Sequence, residues 1–205
     1  MMNRLFISAL ILAGLVVPAG AANLVKTYSY FSVGGRTLEE IEKELSKRGP
    51  QVKTTGNRHP GATRMVFTSR IGYGEKDGSC RIMAATVTVK THVILPRWRQ
   101  RAKADAETRV FWDTLSSDIK RHEESHVVIA KNHARELEDA LKSSAAQKTC
   151  AQATAKAKEI TAKILEKHDQ AQLQFDRVEG VNFERRILRL LRYRMERIDN
   201  GRLPG

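Results

Sequence analysis

From residue 104 to residue 143 the chain contains neither glycine nor proline, and its apolar side chains return at spacings of three and four. A run of that length without a breaker has one regular solution, an amphipathic helix of many turns. A second helical stretch covers about residues 145 to 178, and its alanine-rich start has high helix propensity. Beyond Gly180 a third segment, NFERRILRLLRYRMER, repeats Ile187, Leu190, Leu191, Met195 and Ile198 at helical spacing. Helices patterned this way need a surface to cover.

The upstream half supplies one. Residues 24 to 33 (LVKTYSYFSV) are rich in aromatic and β-branched side chains and read as a strand that turns at Gly34-Gly35. Thr37 and Glu40 form a capping box ahead of a helix, TLEEIEKELSKRG, which Gly49-Pro50 stops. The polar stretch from 51 to 61 is a loop. Strands follow at about 62 to 73 and 81 to 95, joined by the turn GEKDGS. In the second strand Ala85, Val87, Val89 and Val93 fall on one face and Thr86, Thr88, Lys90 and His92 on the other, the pattern of a half-buried antiparallel strand that Pro96 ends. The expected fold is α+β, with a small N-terminal antiparallel sheet and one helix, followed by long C-terminal helices.

The first 22 residues, MMNRLFISALILAGLVVPAGAA, have a basic start at Arg4, an apolar run and a small-residue end. That is the layout of a signal peptide cleaved after Ala21 or Ala22, and the apolar run is too short for a comfortable membrane span. Residues 23 to 205 then form one domain in a secreted or periplasmic setting, with 181 to 205 its basic C-terminal helix and no transmembrane segment after cleavage. Cys80 and Cys150, the two cysteines of the chain, lie beyond the leader, where an oxidising compartment pairs them into a disulfide between the strand region and the helical half. The net charge of +13 attracts polyanions in general. An exported chain meets anionic envelope surfaces first, and no specific nucleic-acid partner is expected. Arg185, Arg186, Arg189, Arg192, Arg194 and Arg197 surround the apolar stripe of the last helix. This helix either lies on an anionic surface or packs its stripe on the domain and leaves its arginines in water.

The chemistry sits inside the first long helix. His122, Glu123, Glu124, Ser125 and His126 read HEESH, so two imidazoles stand one above the other, four residues apart, and can share one zinc ion. Glu123, beside the first ligand, is the candidate general base for a zinc-activated water attacking a carbonyl. A catalytic zinc takes three protein ligands and keeps one open position. The extended motif would place glycine at 129 and histidine at 132, where this chain has Ile129 and Asn132. His133 is one place off and lies about 10 Å along the axis from His126, too far to share the metal. The third ligand is therefore sought downstream, among His168, Asp169, Asp176, Glu179 and Glu184. Asp176 and then Glu179 are favoured, because Gly180 is expected to end their helix and let a side chain point back.

The segments YFSVGGRTLEEIEKEL, CRIMAATVTVKTHVILPRW and WDTLSSDIKRHEESHVVIAKNHARELEDAL resemble the bacterial family called domain of unknown function 922, described as predicted secreted zinc-dependent proteases. The similarity covers about residues 28 to 180. Its most telling pieces are the HExxH followed by Ile129-Ala130 and by Ala134-Arg135-x-Leu137, the run Leu95-Pro96-Arg97-Trp98, and the two cysteines. The resemblance implies a zinc-dependent metallopeptidase acting on a peptide or protein substrate. Many members of that family carry a histidine near a glycine after an aromatic-Asp pair, whereas here Phe175-Asp176 is followed by VEGVNFE. That departure keeps a second expectation open, a non-catalytic zinc-binding or degenerate envelope module acting through its basic surface.

Overall fold

The computed structural model describes residues 22–52 and 56–203, so the expected leader, apart from Ala22, lies outside the described residues. The elements follow in the order β1 (Asn23–Val33), α1 (Leu38–Arg48), β2 (Ala62–Lys76), β3 (Ser79–Trp98), a 3-10 turn (Arg101–Lys103), α2 (Ala106–Lys142), α3 (Cys150–Val181) and α4 (Phe183–Asp199). Strands precede helices, as the periodicities require.

β3 is the central strand of a three-stranded sheet in the order β1-β3-β2. Asp77 and Gly78 both have positive φ, 54° and 69°. An Asp-Gly pair in that conformation makes a two-residue hairpin whose twist matches its strands. Pairing therefore starts at once, from Lys76 with Ser79 to Ala62 with Ile94, and both strands run past their expected ends. β1 pairs with the other edge of β3 in parallel, from Asn23 with Thr88 to Val33 with Trp98. The sheet is thus mixed, not antiparallel throughout. Alternation of apolar residues reports which face of β1 is buried and carries no information on its direction, which the connection through α1 decides.

Pro96 does not end β3 but lies within it, opposite Phe31. Beyond Ile94 β2 no longer pairs, so proline sits where the strand has one neighbour and a missing N–H is tolerated. The capping box of α1 forms as expected between Thr37 and Glu40. Ile41 and Leu45 of that helix pack with Val33, Trp98 and Trp112, and Trp98 Nε1 donates to the Gly35 carbonyl at 2.8 Å.

The inward residues of β3 (Ala85, Val87, Val89) meet Ala130, Ala134, Leu137 and Leu141 of α2 and Ala157 and Ile164 of α3. The alanines let helix backbones come close to each other and to the sheet. α3 starts later than its composition suggests. Gln147 is instead held in a bridge to Cys80 by two 2.8 Å backbone bonds, and Thr149 caps the helix from Cys150 onward. Cys80 and Cys150 form the expected disulfide. α3 continues one residue past Gly180 and ends at Val181, so Glu179 lies in its last turn and Asp176 just before it, both on helical backbone.

α4 packs through Ile187 while Arg185, Arg189 and Arg192 stay exposed. Arg186 and Arg194 do not stand free in water: Arg186 pairs with Asp118 at 3.1 Å and Arg194 lies 3.8 Å from Asp113. Among the described residues no helix is long and apolar enough to cross a membrane.

Candidate metal centre

A short connection makes α2 and α3 antiparallel neighbours, so each turn up α2 meets a turn down α3. That register sets His126 opposite Gln172 and His122 opposite Asp176. The two motif histidines stand on one face, their rings 4.7 Å apart. Phe175 stacks on His122 at 5.0 Å and meets His126 edge-on at 5.1 Å, which limits how either ring can turn.

Three donor atoms converge as a result. His126 Nε2 is 3.1 Å from His122 Nε2 and 3.0 Å from Asp176 Oδ1, and His122 Nε2 is 3.3 Å from the same oxygen. Ligands about 2.0 to 2.1 Å from one tetrahedral ion lie about 3.3 Å from each other, so the triangle has nearly the size a zinc ion needs. Lone pairs gathered this closely require a positive charge among them, either protons on the imidazoles or a cation. Burial alone would push the Asp176 carboxyl up, yet hydrogen bonds and charge from His122 and His126 outweigh it and hold this group far below the usual carboxylate range. Burial would push His126 down, but its bonds to Asp176 and Gln172 reverse the direction and raise it.

Glu179 has a different role. It pairs with Arg121 and lies 3.3 Å from Arg186, and its nearest approach to His122 is 3.6 Å, to the rear nitrogen Nδ1. Burial favours its neutral form, but the two guanidinium groups dominate and depress its pKa. Asp118, 4 % exposed, accepts from both arginines and completes a network joining α2, α3 and α4 behind the histidines.

Glu123 is only 5 % exposed and faces β2. Thr63 Oγ1 lies 2.8 Å from Glu123 Oε2, and burial, the largest influence, raises the carboxyl above its ordinary value. A β-carbon on Gly61 would stand 2.9 Å from both Glu123 Oε1 and Ile119 Cγ2, so the carboxylate is seated against bare backbone. His122, Glu123, Asp176 and Glu179 line a cleft of about 310 Å³ together with Pro60 and Phe183. Pro60 and Phe183 also wall an adjoining apolar cavity of about 390 Å³, whose other sides include Leu38, Ile41, Leu45 and Phe111.

The remaining sequence candidates stand outside the triangle. His133 Nδ1 donates to the Ile129 carbonyl at 2.9 Å and its ring packs edge-on against His168. His168 is buried against Phe67 and bonds Asp169 at 2.9 Å, and Glu184 is exposed at the start of α4. Sequence reasoning missed Thr63 and Gln172, and it named Phe175 only as the aromatic neighbour of Asp176, without its packing on the histidines. Thr63 and Gln172 belong to no motif, and the signal that finds Gln172 and the role of Phe175 is the antiparallel register of α2 and α3.

No curated protein and no solved structure matches this chain. One family model does, described as bacterial protein of unknown function (DUF922), and it spans residues 28–184, which take in β3, the whole of α2, the triangle and the cleft-lining Glu123. The chain belongs to this family.

Proposed function

We propose that this protein is an exported zinc-dependent metallopeptidase in which His122 Nε2, His126 Nε2 and Asp176 Oδ1 hold the metal and Glu123 is the general base. The observation that carries the reading is the triangle itself, two imidazole nitrogens and a carboxylate oxygen 3.0 to 3.3 Å apart. Two histidines and one carboxylate are a donor set that suits zinc and leaves a coordination position open. A zinc ion bound there supplies Lewis acidity, lowering the pKa of a water and polarising a carbonyl.

The protein's own groups do the rest. Glu123, its proton affinity raised by burial, takes a proton from the attacking water and delivers it to the departing amine. Thr63 fixes the carboxylate rotamer through Oε2, and bare backbone at Gly61 gives the group room. The apolar cavity that shares Pro60 and Phe183 with the cleft receives a bulky apolar side chain next to the scissile bond. Export is the reading that unites the N-terminal leader pattern with the paired cysteines.

Zinc stoichiometry of the purified protein, with hydrolysis of casein and a peptide library by wild type and Glu123→Gln, tests this. The expected result is one zinc per chain in both proteins and cleavage by the wild type alone. No stoichiometric zinc in the wild type overturns the metal centre. Zinc without any cleavage leaves a binding module and overturns the peptidase.

A further inference from the structure

Behind the metal-binding face of His126 runs a chain of polar contacts that the proposed hydrolysis does not use. His126 Nδ1 lies 2.5 Å from Gln172 Oε1. The Gln172 amide nitrogen is 3.2 Å from the His126 backbone carbonyl and 2.8 Å from His168 Nε2. His168 Nδ1 in turn lies 2.9 Å from Asp169 Oδ1.

Every hydrogen in this chain has one consistent placement. A backbone carbonyl only accepts, so the Gln172 atom facing it is the NH2 group and not the oxygen. Gln172 Oε1 therefore faces His126 Nδ1, and an amide oxygen only accepts, so Nδ1 carries the hydrogen. The neutral ring then has a bare Nε2, the atom that stands 3.0 Å from Asp176 and 3.1 Å from His122 Nε2. At the other end the second amide hydrogen points to His168 Nε2, which must be an acceptor, and the His168 Nδ1 hydrogen goes to Asp169. His168 is 4 % exposed, ringed by Phe67 at 4.9 Å and His133 at 5.6 Å, and burial, the largest influence, keeps its pKa below the usual histidine value and so preserves that acceptor.

We infer that Gln172, held by His168 and Asp169, is a positioning residue that fixes His126 as its Nδ1–H tautomer and presents Nε2 to the metal. This rests on the metal-centre reading above and adds the group that makes one ligand ready for it. Outer groups of this kind orient metal-bound histidines, and their loss lowers metal affinity about 10- to 100-fold.

The test uses the full exported chain as wild type, Gln172→Met, which fills the same space without polar atoms, and Gln172→Glu, whose carboxylate still accepts from Nδ1. Zinc affinity is measured by chelator competition, and the His126 tautomer is read from imidazole nitrogen shifts of the metal-free protein at alkaline pH. We expect Nδ1–H in wild type and in Gln172→Glu, loss of that preference in Gln172→Met, and zinc binding weakened about 10- to 100-fold in Gln172→Met alone. Unchanged helical content in Gln172→Met separates positioning from folding. If Gln172→Met keeps the wild-type tautomer and zinc affinity, the inference is overturned. If the wild type binds no zinc, the metal centre falls by itself, because the tautomer comparison is made without metal and decides the role of Gln172 separately.

Discussion

Helix α2 buries two glutamates against the sheet, about four turns apart, and treats them in opposite ways. Glu138 is 3 % exposed and fully engaged: Val87 N–H donates to one oxygen at 2.8 Å and Lys142 to the other at 2.6 Å. Its partner Val87 sits one residue before the β1 ladder begins at Thr88, so Glu138 takes the place of a strand that is not there. Burial alone would raise its pKa, but Lys142 and the amide turn the direction downward. Glu123 is about as little exposed but lies deeper among protein atoms, with a single hydroxyl on one side-chain oxygen and a pKa that burial drives up. One carboxylate is locked as an anion to finish a sheet. The other is kept basic beside a cleft and a cluster of donor atoms. The difference teaches that low exposure alone does not set the state of a carboxylate: depth and the number of partners together decide whether it is held as an anion or kept basic.

The comparison breaks most visibly at Glu123. Glu123→Gln is expected to lower hydrolysis by about 10²- to 10⁴-fold, the usual weight of a general base, while zinc content and the urea midpoint hold. A variant that unfolds instead would put Glu123 in the same class as Glu138. The half of the molecule around Glu138 is also where the disulfide lies. Replacing Cys80 and Cys150 by alanine is expected to cost about 4 kcal/mol in urea unfolding, the weight of closing a loop of 70 residues, with zinc affinity of the folded protein unchanged.

Glu138→Leu comes next, with an expected loss of about 2 kcal/mol, because a buried amide hydrogen is orphaned, and with no change in hydrolysis per folded molecule. Its pH dependence has a definite sign. The folded pKa of Glu138 lies below the ordinary value, so its stabilisation is complete above about pH 4.3 and is lost as the pH falls through the folded pKa. Urea midpoints of wild type and Glu138→Leu should therefore converge toward acid pH. A constant gap down to pH 2 would mean the carboxylate charge contributes nothing.

How much of this was legible follows from range. HEESH needs one helix and a four-residue spacing, and α2 is a local consequence of a stretch without glycine or proline, so His122, Glu123 and His126 could be read directly. The disulfide was legible because two cysteines allow one pairing. Asp176 was named for its nearness to a helix end, which falls at Val181, one residue past Gly180, but that nearness is not what brings it to the site. It meets the histidines because α3 runs antiparallel to α2, a relation between segments some fifty residues apart that no local pattern records. Glu179 was named on the same ground, but two arginines claim it. Pro96 was read by its local habit, and only pairing shows that its missing N–H falls where β2 has ended. Gln172 and Glu138 were invisible for a shared reason: each is an ordinary polar residue on a helix until the partner it satisfies is known.

The finest separation between the two glutamates comes from Thr63→Val, which keeps the side-chain shape and removes the hydroxyl hydrogen. If Glu123 were a structural acid like Glu138, losing its donor would appear as lost stability, about 1 to 3 kcal/mol for an unsatisfied buried acceptor. If it is the base, burial already disfavours its charge in this pocket, and losing the hydroxyl costs little stability. The loss then appears in catalysis, because fewer molecules hold the carboxylate in the productive rotamer. We expect kcat to fall about tenfold, equivalent to about 1.4 kcal/mol, with KM and the urea midpoint close to wild type. A lowered midpoint with unchanged kcat would reverse the assignment and make Thr63 to Glu123 a second structural tie between α2 and the sheet.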